Sequence, residues 1–181
     1  MADGQTAYQA LSTLANKSLQ SAQQLPAQVD AMPQWIGVGF SLLGQDFVVS
    51  MGDLNEMLEV PPYTKLPGVE PWVKGVANVR GRLLPVFDLA AYFGGILSGS
   101  KKQRRLLVID RDQIYSGLCV DQVFGMQYFP VDALNSRSPD DLPDPLRPFV
   151  NGCFEAEDRT WAVFHPLRLL EQEQFLDVSI S

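Results

Sequence analysis

His165 is the only histidine in the chain, so any histidine chemistry would have to be built on it. That count excludes a His-rich metal site, since zinc centres draw on several His or Cys ligands. A Ser-His-Asp triad would need this imidazole within reach of a hydroxyl. Its position argues against that. It stands between an apolar run and Pro166, which suits the first position of a helix, and so reads as a surface or capping residue. Asp110, Asp112 and Asp121 place carboxylates near one hairpin. Asp110 and Asp112 fit a turn, the ordinary use of aspartate. Cys119 and Cys153 lie in apolar runs and read as reduced core cysteines, not as a disulfide. No G-x-S-x-G elbow, P-loop or dinucleotide fingerprint occurs. The expectation is no enzyme, no cofactor and no metal.

The elements that carry these residues form a repeat. Trp72 to Phe93 reads W-V-K-G-V-A-N-V-R-G-R-L-L-P-V-F-D-L-A-A-Y-F, and Phe149 to Leu170 reads F-V-N-G-C-F-E-A-E-D-R-T-W-A-V-F-H-P-L-R-L-L. Val73/Val150, Gly75/Gly152, Arg82/Arg159, Val86/Val163 and Phe87/Phe164 coincide without a gap. One supersecondary unit is used twice. Each copy predicts a hairpin followed by a short helix. Gly81 suits the first turn because it takes positive φ at no steric cost, and Asp158 substitutes for it in the second. Asp88 is a good N-cap before Leu89 to Phe93, with Gly94-Gly95 ending the run. Gly75 and Gly152, inside strands, predict a bend or a close backbone approach.

Two further hairpins are expected. Trp35 to Leu42 and Asp46 to Ser50 flank Leu43-Gly44-Gln45, and Arg105 to Ile109 and Tyr115 to Val120 flank Asp110-Arg111-Asp112. The order is hairpin, Pro-rich loop, hairpin and short helix, used twice, which argues for small all-β barrels or sandwiches. Val60 to Pro71 and Asn135 to Pro148 are expected as loops. Ser98 to Arg105 is expected as a flexible, then basic, solvated connection. Residues 1–33 form a separate extension with loose helical periodicity ended by Pro26 and Pro33. It is expected to be dispensable for folding and to serve localisation or partner choice. The repeat units span about 35–97 and 104–172, inside a domain over 34–178.

Composition bounds the function. The chain has 181 residues, 46% of them hydrophobic, and a formal net charge of −7. The acidic balance disfavours nucleic acid, whose backbone rewards a basic face. Trp35, Trp72 and Trp161 read as packing residues, not as a stacking platform. No run approaches the ~18 apolar residues that would span a bilayer, and the N-terminus lacks the pattern of a signal peptide. Direct membrane insertion is not expected.

Arg80 changes sign between the copies. Glu157 occupies its place in the second. A residue needed for both folds should not change sign, so Arg80 serves something particular to one copy. A guanidinium holds a carboxylate or carbonyl pair in a fixed fork, and arginine is common at interface hot spots. Asn78 orients the same turn, and Gly81 shapes it.

These residues sit inside a longer motif. Pro67-x-x-x-Pro71-Trp72-Val73-x-Gly75-Val76-x-Asn78-Val79-Arg80-Gly81-Arg82-Leu83-Leu84-Pro85-Val86-Phe87-Asp88-Leu89 closely resembles the central signature of the CheW-like chemotaxis adaptor family. Gly117-Leu118-Cys119-Val120-Asp121-Gln122-Val123 resembles its second signature. The resemblance runs from about Trp35 to Leu170. It departs from the pattern where His165 replaces Asp88 and where the N-terminal extension is longer. It implies a mainly β fold of two SH3-like five-stranded β-barrels with short helices. It also implies a non-catalytic scaffold in two-component signal transduction, in which the adaptor binds the regulatory domain of a CheA-type histidine kinase and the cytoplasmic tip of a methyl-accepting chemoreceptor. The implied setting is a chemosensory system controlling type IV pilus twitching motility, in the cytoplasm and recruited to membrane-associated arrays. A flagellar chemotaxis array is the alternative, and an oligonucleotide-binding small barrel is a more distant one. Arg80, Asn78 and Gly81, as members of the signature, are the candidate partner-binding residues.

Overall fold

A computed structural model describes residues 32–179; the expected N-terminal helix lies outside them. The strands are β1 (Gln34–Leu42), β2 (Gln45–Ser50), β3 (Glu56–Glu59), β4 (Tyr63–Thr64), β5 (Val73–Val79), β6 (Arg82–Asp88), β7 (Arg105–Arg111), β8 (Ile114–Val120), β9 (Gln122–Pro130), β10 (Val150–Ala156) and β11 (Arg159–Phe164). Short helices follow β6 (α1, Leu89–Tyr92) and β11 (α2, Pro166–Leu170), and α3 (Glu173–Leu176) comes last.

The turn chemistry works as the residue types require. Leu43-Gly44, Arg80-Gly81 and Glu157-Asp158 each take positive φ at both positions, the conformation of a two-residue hairpin whose twist matches its strands. Two expected turns shift slightly. Gln45 already belongs to β2, and Asp110 and Arg111 extend β7, leaving the turn to Asp112-Gln113. Asp88 Oδ1 accepts the Ala91 N–H at 3.0 Å and caps α1. Gly75 and Gly152 each mark a register shift against the partner strand. A Cβ at Gly75 would strike the Thr64 carbonyl oxygen, and one at Gly152 the Asn135 carbonyl oxygen.

The sheets cut across the repeat. One has the order β10-β11-β2-β1-β9, the other β3-β7-β8-β6-β5-β4. Each therefore combines the first hairpin of one copy with the second hairpin of the other. The junctions are the two parallel pairings: β11 with β2 through Val163 and Val48, and β6 with β8 through Val86 and Gly117.

Each sheet also closes on itself. β3 pairs with β7 and β4 with β5, and only Val60-Pro61-Pro62 separates β3 from β4, so one bent strand closes the second barrel. In the first, the chain leaving β9 bridges Asn135 to Cys153 on β10, and Phe129 of β9 stacks on Phe154 of β10 with centroids 4.4 Å apart. Counting β3 and β4 as one, both barrels are five-stranded and leave no long free edge.

Strands buried on both faces read as continuous apolar runs. Phe47-Val48-Val49 and Trp161-Ala162-Val163-Phe164 are buried throughout. Val48, Trp161 and Val163 point into the first barrel with Phe129 and Phe154. Phe47, Val49 and Phe164 face a larger core that contains the second barrel's interior.

Three expected loops are more structured than their composition suggests. Val60 to Pro71 contains β4. Asn135 to Pro148 buries Leu142 and Leu146 and enters a 3-10 turn. Ser98 to Arg105 is pinned by Asp121, whose buried carboxylate accepts from the N–H groups of Leu43, Ser98 and Gly99. Proline content reports which backbone N–H groups are missing from a ladder, and it does not report burial of the leucines nearby.

Candidate functional site

The β5–β6 hairpin presents its turn to solvent. Val79 and Arg82 pair across its end, leaving Arg80 (φ 52°) and Gly81 (φ 82°) as the two turn residues. Asn78 Oδ1 accepts the Gly81 N–H at 2.9 Å. Asn78 and Gly81 are thus joined directly, and the turn is held without the Arg80 side chain.

That side chain is 75% exposed and reaches back to β3, where Nη2 lies 2.7 Å from Glu56 Oε2. Beside it, Arg82 donates twice to the Asp110 carboxylate, the longer contact being 3.3 Å. Its guanidinium lies 3.8 Å from the centre of the Tyr115 ring. The hydrogen bond from Arg82 holds Asp110 below its usual carboxylate range. A third pair, Arg111 with Asp53 at 3.1 Å, continues the row, and Asn55 Oδ1 accepts the Asp110 N–H at 2.7 Å. Asn55, Glu56, Arg80, Arg82, Asp110 and Tyr115 border a hollow of about 110 Å³.

This arrangement has the kind of chemistry that recognition surfaces use. Fixed forks of donors lie next to fixed carboxylates. Exposed Leu83 and Met57 neighbour Arg82 and Glu56 in the chain. Apolar residues among oriented arginines are what protein interfaces use. Exposed ion pairs contribute only ~0–1 kcal/mol to stability, so the row is poorly explained as a stabilising device.

The sequence missed Glu56, Asp110 and Tyr115 as members of this surface. Asp110 was expected in a turn, and it instead sits on β7 facing Arg82. Glu56 has no local signal. It meets Arg80 only because β3 and the β5–β6 turn come to one end of the same barrel.

His165 belongs to the other hairpin unit, and of the residues in this row only Asp53 acts on it electrostatically. Its Nε2 is 2.7 Å from Asn151 Oδ1, and its side chain makes no cap to α2. The equivalent positions in the first copy, Lys74 and Asp88, form an ion pair at 3.0 Å. The departure at His165 is therefore one half of a paired exchange. Among the described residues, no group of three His, Cys, Asp or Glu side chains is placed to hold a metal. Burial pushes the Cys119 thiol up to about 12, and burial raises Cys153 as well, so neither is a thiolate at neutral pH. No helix among the described residues is long and apolar enough to cross a membrane.

Residues 37–174 match the CheW-like domain family. The chain is 47% identical over 180 residues to Protein PilI of Pseudomonas aeruginosa, covering 99% of this chain and 100% of that protein. It is 28% identical over 97 residues to the chemotaxis protein CheW of Thermotoga maritima, covering 54% of this chain and 64% of that one. The fold is similar to the crystal structure of the scaffolding protein TtCheW from Thermoanaerobacter tengcongensis. The TM-score is 0.62 at 25% identity, over 75% of this chain and 92% of the other.

Proposed function

The chain belongs to the CheW-like domain family of non-catalytic scaffold proteins, and on that premise we propose that it couples a methyl-accepting chemoreceptor to a CheA-type histidine kinase in a system controlling type IV pili. The observation that carries this reading is the end-to-end match to PilI. The match includes the segment ahead of the barrels, which the CheW-like domain itself does not span. Location in the cytoplasm, at membrane-associated arrays, is part of the same proposal.

Arg80, with Asn78 and Gly81 holding its turn, is proposed as a partner-contacting element on one of these two interfaces. Three observations support it. The side chain is exposed, its ion pair adds little to stability, and the second copy carries the opposite charge at the same turn position.

The test is capture from lysate of the native organism with the purified full chain as bait, beside an Arg80→Glu variant. Recovery of a histidine kinase and a chemoreceptor by the wild type is expected, with one or both reduced about tenfold by the variant. Recovery of neither partner by a folded wild-type bait would sink the adaptor reading. Equal recovery by both baits would remove Arg80 from the interface.

A further inference from the structure

The end of the second barrel remote from Arg80 opens as a cleft of about 370 Å³. Its floor is Val86, Leu97 and Cys119, and its wall is Pro61, Pro62 and Tyr63. Lys74 also lines it, but that ammonium is taken by the buried Asp88 carboxylate. The interior is thus apolar and nearly neutral. The rim is not, because Lys101 and Arg104 stand on it.

These two belong to Lys101-Lys102-Gln103-Arg104-Arg105, which holds four of the chain's 14 Lys and Arg residues against a net charge of −7. The segment is a built wall and not a loose linker. Arg104 donates Nε to the Gly99 carbonyl at 3.0 Å and Nη2 to the Leu97 carbonyl at 2.9 Å. Arg105 Nη1 donates to the Lys102 and Arg104 carbonyls. Gln103 Oε1 accepts from the Ser100 N–H and hydroxyl. None of these four cations has a carboxylate partner within salt-bridge distance among the described residues. Arg104 and Arg105 are thus held in place, Lys101 and Lys102 are exposed, and together they give the rim an excess of positive charge beside an apolar pocket.

We propose that this cleft binds an acidic peptide segment of a partner protein, seating one bulky apolar side chain on the Val86–Leu97–Cys119 floor while flanking carboxylates meet the Lys101–Arg105 rim. The extent of the charge selects a peptide over a free small acid. A single carboxylate would engage Lys101 and Arg104, whereas the row continues past the cleft to Lys102 and Arg105. Pro61 and Pro62 have no N–H to donate, so this wall cannot extend a ladder to an added strand. The occupant is held by its side chains. This site uses the opposite end of β5 and β6 from Arg80 and does not depend on which partners Arg80 meets.

The test is titration of the full chain, labelled for amide NMR, with short blocked peptides carrying a central Leu, Phe or Trp between Asp and Glu residues. Controls replace the acids by Asn and Gln, or the central residue by Ser. The acidic apolar peptides are expected to bind about tenfold tighter than either control and to weaken with added salt. Amide shifts are expected at Tyr63, Leu97 and Cys119. A Lys101→Glu/Lys102→Glu variant, altered only at exposed positions, is expected to melt as the wild type and to lose about tenfold in affinity. Acidic peptides that bind no better than their amide counterparts, or that bind the variant equally, would overturn the proposal. So would tighter binding of phosphatidylglycerol vesicles that is lost in the same variant, which would assign the rim to a membrane surface.

Discussion

At the scale of single residues, the repeat supplies internal controls. Arg80 occupies a left-handed turn position that Asn or Gly fills most easily, and Glu157 occupies the equivalent one at the same φ of 52°. The turn therefore accepts either charge. Arg80→Asn is expected to stay within about 0.5 kcal/mol of the wild type in unfolding while weakening partner assembly about tenfold, ~1.4 kcal/mol. Calorimetry alongside a binding titration checks both halves, and a large loss of stability would make Arg80 structural. The exchange of Lys74 and Asp88 for Asn151 and His165 has a pH consequence. Burial holds His165 below its ordinary value of 6.5, and Arg168 adds to the effect. The folded chain then binds fewer protons here than the unfolded one, so this contribution is complete above pH 6.5 and is lost as the pH falls through the folded value. Melting temperature measured across this range is expected to fall less in His165→Gln than in the wild type. Parallel curves would show that the imidazole does not set the acid limb.

At the scale of elements, each barrel wall depends on the strand that joins the two copies. Phe87 of β6 and Phe164 of β11 are both buried, at 7% and 1% exposure. Phe87 packs with Trp72 and Phe175, and Phe164 with Phe40 and Phe47. Truncating either to alanine is expected to cost about 3–5 kcal/mol, a large part of the ~5–15 kcal/mol typical of a domain. Denaturant unfolding of each single variant measures this, and a loss below 1 kcal/mol at either site would mean that its cluster repacks. Arg82 and Arg159, which coincide in the repeat, also act across the junction. Arg82 reaches Asp110 and Tyr115 on the hairpin donated by the second copy, and Arg159 reaches Asp46 on the one donated by the first.

At the scale of the whole molecule, neither copy can complete a barrel alone, because the parallel junctions take one strand from each. Residues 34–99 and 100–179 expressed separately are expected to be unfolded or aggregated, and to recover the native circular dichroism when produced together. A cooperative melt from either piece alone would contradict the exchanged topology. Both barrels are complete within residues 34–179, which supports the proposal that residues 1–33 are dispensable for folding. A chain starting at Gln34 is then expected to melt within a few degrees of the full one, where a shift of about ten degrees would correspond to a kcal/mol or more.

What the sequence determined by itself was local. Gly81, Asp158 and Gly44 set hairpin turns through φ, Asp88 and Pro166 set helix starts, and alternating or continuous apolar runs set strands, since all of these act within a few residues. Gly75 and Gly152 announced close backbone approaches for the same reason. The Arg80 turn and its Asn78 support were legible because the two copies could be compared position by position. The family signature extended that to the barrel pair. Other features were decided only in the tertiary structure. Which hairpin joins which sheet depends on burying Phe47, Phe164, Val86 and Leu118 against partners far along the chain. β3 and β4 are short strands whose pairing with β7 and β5 is set by the fold, and their few residues carry little strand signal of their own. Glu56, Asp110 and the basic rim at Lys101 took on meaning only when folding brought them beside Arg80, Arg82 and the cleft. A charge carries no mark of its partner in sequence, and its role is settled by the distance at which folding leaves it.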